Sequence, residues 1–105
     1  SSVYFGDGVY GLRAAARHYF GRSPEKLTLA QSAMLAGLVQ APSRLAPTRN
    51  LEGAQRRARL VLAAMADTGA VSEARARSVV QARPIRRTNK VPTGTYFADW
   101  VAPQA

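Results

Sequence analysis

Apolar residues along this chain recur at helical rather than strand spacing. Over residues 11–20, Leu12, Ala15, Ala16 and Tyr19 fall at i, i+3, i+4 and i+7, which is one face of an amphipathic helix. Arg13 and Arg17 lie one turn apart on another face, and Gly21 is placed to stop the helix. Thr28 is followed three residues later by Gln31, the reciprocal capping pattern that opens a helix. Residues 29–39 are then almost wholly apolar, as expected of a helix buried on most sides. Pro42 bars its continuation, and the prolines and polar residues of "APSRLAPTRN" (41–50) predict a loop. Asn50 is placed to cap a third helix to about Thr68, with Ala54, Ala58, Val61, Leu62 and Met65 on one stripe and Gly69 closing it. Ser72 caps a shorter helix that turns Ala76, Val79 and Val80 inward and ends at Pro84. The pattern predicts an all-α fold of four helices.

Both flanks differ from this pattern. At the start, Tyr4 and Phe5 precede Gly6-Asp7-Gly8, which reads as a turn. At the end, "IRRTNKVPTG" is basic and poor in apolar residues, a linker or surface strap. "TYFADWV" then brings three aromatics within five residues, a short aromatic tail that wants a partner surface.

Composition changes this picture in two ways. Of 105 residues 47% are hydrophobic, which argues for a packed chain, but alanine supplies much of that share, so burial must rely on close helix contacts or on other segments. The charge is +9, from fifteen Lys and Arg against six Asp and Glu, and thirteen of the cations are arginine. That balance favours anionic partners, and the arginine fork suits phosphate in particular. There is no cysteine, which excludes disulfides and thiolate metal sites. No apolar run approaches the ~18 residues of a membrane span.

Catalytic candidates are sparse. Asp7, Glu25, Glu52, Asp67, Glu73 and Asp99 are scattered one per segment, and nothing in the sequence pairs any two for acid–base work on a glycosidic bond. Asp7, between glycines, reads as a turn residue bonding its own backbone. His18, the lone histidine, has no carboxylate in sequence to orient it and reads as a surface or boundary residue. Most of the aromatics near the start read as packing around a helix start. Tyr4 stands apart, because it precedes a glycine turn where backbone can approach a ligand and a phenol can line a cleft. Two groups of arginines, 13/17/22 and 56/57/59, are candidates for convergence on phosphate.

Taken in order, "VYFGDGVYGLRAAARHYFG", "LTLAQSAMLAGLVQAPS" and "AQRRARLVLAAM" resemble three consecutive blocks of the peptidoglycan glycosyltransferases, family 51, the glycan-polymerising domains of class A penicillin-binding proteins and monofunctional transglycosylases. The likeness is collinear over residues 1–83, with 84–105 as a basic linker and the start of a following segment. It implies the C-terminal portion of a lysozyme-like domain. The parent enzyme, of the bifunctional type, would polymerise lipid II into glycan strands during cell wall synthesis, at the extracytoplasmic (periplasmic) face of the cytoplasmic membrane. Family motifs that carry the two catalytic glutamates have no counterpart here. The resemblance therefore implies that an N-terminal catalytic lobe lies upstream, that no catalytic residue or metal ligand belongs to this stretch, and that the stretch alone is inactive. Any divalent metal would belong to the parent.

By the same resemblance Tyr4 lines the substrate cleft and Arg57 holds helices together or lies near phosphate, the two substrate-binding candidates. Ser1 stands where the family usually has asparagine, Leu45 where tyrosine is common, and Ala58 in place of a second arginine. Lipid II, the growing glycan strand, the membrane surface and the missing lobe are the implied partners, with no nucleic acid. Two rival readings accompany it: a small basic helical nucleic-acid-binding module, favoured by charge alone, and a noncatalytic interaction domain docking through residues 93–101.

Overall fold

A computed structural model describes residues 3–85. Within them the chain is helical, with five α-helices rather than four: α1 (Leu12–Phe20), α2 (Leu29–Leu38), α3 (Pro42–Leu45), α4 (Leu51–Asp67) and α5 (Glu73–Ser78). A 3-10 turn, Pro24–Lys26, connects α1 to α2. The aromatic tail lies outside the described residues.

The additional helix, α3, is a single turn inside the stretch expected to be loop. Pro42 does end α2, but it also occupies the first turn of α3, where its fixed φ suits a helix and its missing N–H costs nothing. A proline read only as a breaker hides this second use. The expected end of α5 also shifts. The helix stops at Ser78, not near Pro84, and Val79 is already extended. Val80, expected inward, is 86% exposed. From Val79 the chain runs as a strap over the helices: the Gln55 side chain donates to the Ala82 carbonyl at 3.0 Å, and the Ile85 N–H donates to the Tyr19 carbonyl at 2.7 Å.

Capping chemistry sets the other boundaries. Thr28 and Gln31 form the full reciprocal box at the start of α2, with Gln31 N–H on Thr28 Oγ1 at 3.2 Å and Thr28 N–H on Gln31 Oε1 at 2.9 Å. Asn50 Oδ1 accepts from Gly53 N–H at 3.0 Å and opens α4. Gly21, left-handed at φ 66°, closes α1 with its N–H on Arg17 O and the next N–H reaching back to Ala16 O.

The core lies mainly between α2 and α4, the pair in most extensive contact. Tyr19, Met34, Leu35 and Leu38 are fully enclosed, and Ala15, Ala16, Ala33, Ala54 and Ala58 fill the spaces between them. Small residues let the helix axes approach closely, as the alanine-rich composition requires. At Gly37 the approach is tight: a Cβ there would sit 2.9 Å from Cγ of Arg57, so the arginine's stem lies directly across the α2 backbone.

The glycine turn before α1 is fixed by the same tactic. Gly6 is left-handed at φ 82°, and a Cβ on it would run into the Pro42 carbonyl and lie 3.1 Å from Ala46 Cβ. Gly8 is also left-handed, at φ 74°, but faces open space. Backbone strain alone should therefore cost Gly8→Ala about 1–2 kcal/mol. Gly6→Ala should cost about 2–4 kcal/mol, because displacement of the α3 segment adds to the strain. Urea unfolding midpoints of the two variants measure the difference, and equal losses would contradict the close approach at Gly6.

Candidate functional site

Residues 3–11 form a tight reversal rather than a strand pair. Tyr4 and Tyr10 make one isolated antiparallel bridge. Phe5 N–H donates to Val9 O at 2.8 Å, Val9 N–H to Gly6 O at 2.9 Å, and Gly11 N–H to Val3 O at 2.8 Å. This places the Tyr4 ring against Tyr10, with centroids 4.8 Å apart. Tyr4 is half-buried, and its phenol oxygen accepts from Gly8 N–H at 3.1 Å. In that bond the phenol acts as acceptor and keeps its own hydrogen to donate.

Asp7 is not the self-bonded turn residue expected. It does sit in the turn at φ 53°, a left-handed conformation that aspartate tolerates. Its carboxylate, however, reaches across the fold. Thr48 Oγ1 donates to Asp7 Oδ2 at 2.5 Å, and His18 Nε2 lies 3.0 Å from the same oxygen. His18 is accordingly no isolated boundary residue. It is 29% exposed and paired with a carboxylate that is 17% exposed. One side chain thus ties the glycine turn to α1 and to the segment entering α4.

Burial alone would raise the Asp7 pKa, but hydrogen bonds from Thr48 and His18 and the positive charges of His18 and Arg49 outweigh it and hold the carboxyl below its ordinary 3.8. Beneath the turn, Tyr19 donates its buried hydroxyl to the Phe5 carbonyl at 2.7 Å. Burial, reinforced by the negative charge of Asp7, pushes that phenol far above its usual range, so Tyr19 is a fixed donor and not a proton carrier.

Arg57, the second candidate, is half-buried on α4 with its stem over Gly37. Arg57 also lines a small pocket of about 170 Å3 with Arg56 and, from α3, Arg44. Arg59 does not join them. It lines a larger cavity of about 440 Å3 between α4 and α5, so the 56/57/59 group of the sequence divides between two sites. A third, mostly apolar groove of about 280 Å3 runs beside the turn, between Phe5, Leu12, Leu27, Leu35 and Val39. Among the described residues no three of His, Cys, Asp or Glu gather as a metal site. No described helix is long and apolar enough to cross a membrane.

Sequence reasoning missed the Asp7–His18–Thr48 contact and the arrival of Arg44 beside Arg56 and Arg57. Thr48 lies 41 residues from Asp7, beyond the reach of any local spacing rule.

A close-packed helical scaffold that braces a tyrosine-bearing turn is thus the class of protein on view. The comparisons give it a family. A family model described as Transglycosylase matches residues 1–66. Penicillin-binding protein 1A of Rickettsia felis is 38% identical over 104 residues, which is 99% of this chain and 13% of that protein. Penicillin-binding protein 1A of Mycolicibacterium smegmatis is 47% identical over 72 residues, 69% of this chain and 9% of that protein. The crystal structure of penicillin-binding protein 1A from Haemophilus influenzae matches with a TM-score of 0.76 and 32% identity, over 86% of this chain and 13% of that one. This chain belongs to the transglycosylase family. It spans about an eighth of the length of the Rickettsia felis and Haemophilus influenzae proteins.

The Asp7 pKa shift has a defined pH consequence. A carboxyl whose folded pKa lies below its unfolded value of about 3.8 contributes stability in full above that value, and loses it as pH falls through the folded pKa. Asp7→Asn keeps the turn conformation but should lower stability by about 1–2 kcal/mol at neutral pH. The deficit should shrink as urea midpoints are followed from pH 7 down to about 2.5. A deficit constant across that range would show that the carboxylate charge plays no part.

Proposed function

We propose that this chain is the C-terminal part of a peptidoglycan glycosyltransferase domain within a longer protein of the class A penicillin-binding type. That protein would join lipid II units into glycan strands at the extracytoplasmic face of the cytoplasmic membrane. The observation that carries this reading is the agreement of the family match over residues 1–66 with a likeness of TM-score 0.76 to penicillin-binding protein 1A from Haemophilus influenzae.

In this reading the chain supplies walls and supports. Tyr4 lines the substrate cleft and offers its phenol hydrogen to a sugar or phosphate oxygen. Arg57 binds on the phosphate side of the substrate while its stem joins α2 to α4. The apolar groove beside Phe5 and Leu12 receives the catalytic lobe, which brings the acid–base groups. Two of the described carboxylates, Glu52 and Glu73, stand out in solvent on separate helices, and Asp7 is engaged by His18 and Thr48. Such groups are poorly disposed to act as the facing pair that glycosyl transfer calls on. The glycosyltransferase part runs to residue 83, and 84–105 lead into the following segment.

The 105-residue chain, incubated with lipid II, should therefore form no glycan, whereas the longer protein that contains it should form strands. In that longer protein Tyr4→Phe should reduce kcat/KM by about tenfold, one lost hydrogen bond to the transition state. Turnover by the short chain would overturn the supporting role, and failure of the longer protein to polymerise would overturn the function.

A further inference from the structure

Two separate helices send arginines into one pocket. Arg44 on α3 and Arg56 and Arg57 on α4 line it with Asn50 and Leu60, and no acidic residue takes part. The larger cavity between α4 and α5 shows what a compensated lining looks like, because there Arg59 and Arg77 face Asp67 and Glu73. Glu52 approaches Arg56 at 3.4 Å, but both groups are largely in solvent, where such a pair is screened and weak. Among the described residues, neither Arg44 nor Arg57 has an acidic partner. Three like charges lining one pocket without an acidic residue favour an anion among them.

The bases of two of these arginines are anchored. Asn50 Nδ2 donates to the Arg44 carbonyl at 3.0 Å while its Oδ1 accepts from Gly53, so the backbone of Arg44 is fixed to the start of α4. The Arg57 stem is held over Gly37, which leaves only its head to settle on binding. Anchored side chains lose less rotamer freedom when a ligand arrives. At about 170 Å3 the pocket is smaller than the usual small-molecule site and suits one compact anionic group.

We propose that Arg44, Arg56 and Arg57 form a subsite for a phosphate-bearing ligand, whose oxyanion the guanidinium forks bind with paired hydrogen bonds. A lipid headgroup and a free pyrophosphate share this chemistry. Leu60, 59% exposed at the pocket's edge, is placed to meet acyl chains if the phosphate is a lipid's. For Arg57 the subsite rests on the phosphate-side role proposed above and extends it to Arg44 and Arg56. The charge argument does not depend on which reaction the longer protein performs.

The test uses the whole 105-residue chain and two probes at about 150 mM salt, where long-range attraction is screened. Inorganic pyrophosphate is titrated by calorimetry, and vesicles of phosphatidylglycerol with phosphatidylcholine are assayed by co-sedimentation. Arg44→Gln/Arg57→Gln is compared with Arg13→Gln/Arg75→Gln, which removes the same charge elsewhere. Arg44→Gln alone, on an exposed residue, guards against a loss of folding in the first double variant.

The pocket variants should bind pyrophosphate about tenfold more weakly than the charge-matched control. If the lipid headgroup is the source, vesicle binding falls in parallel, and Leu60→Ser weakens it further. If a free anion is the source, only the pyrophosphate arm responds. Equal weakening by both double variants, or no saturable binding in either arm, overturns the subsite. Either result would also remove the phosphate-side role of Arg57, whereas lipid II polymerisation by the longer protein is read in its own assay, so the two proposals fail separately.

Discussion

The close approach of α2 to α4 is the constraint on which the remainder depends. A chain this rich in alanine cannot fill a wide gap between helices, so the backbones must come together. Gly37 marks the limit of that approach, with no Cβ between its backbone and the stem of Arg57. Leu35, Leu38 and Met34 are enclosed from one side, and Ala54, Ala58 and Leu62 from the other. The arginine whose stem completes this contact also lines the pocket beside α3.

The segment between α2 and α4 inherits its position from that packing. α3 is too short to be stable by itself. It persists because Leu45 enters the core, Asn50 binds its last turn, and Gly6 lies flat against Pro42. In turn it offers Thr48 to Asp7, and through Asp7 it reaches His18 on α1. The Tyr4 turn is therefore braced from below by the Tyr19 hydroxyl and from the side by the Asp7 contact. A turn built this way is held by elements more than forty residues away along the chain.

Some of this was legible in the sequence for a clear reason. The Thr28–Gln31 box, the Asn50 and Ser72 caps and the Gly21 stop all join residues within five positions of one another, so spacing reveals them. The stripe of Ala54, Ala58 and Leu62 was equally visible, since helical periodicity is local. Pro42 is legible as a bar to α2 but not as the start of α3, because both uses are compatible with the same fixed φ. The extent of α5 was misjudged where tertiary bonds, Gln55 to Ala82 and Ile85 to Tyr19, draw the chain out as a strap.

The sequence alone determined the helical class, the caps and, through three collinear blocks, the family. It also singled out Tyr4 and Arg57. Only the tertiary structure decided that Asp7 and His18 belong together, that Arg57 is joined by Arg44 rather than Arg59, and that a one-turn helix separates α2 from α4. Local features follow from backbone geometry over a few residues, which the order of amino acids specifies directly. Contacts across 41 positions depend on where whole helices come to rest, and that is settled by packing of the assembled core.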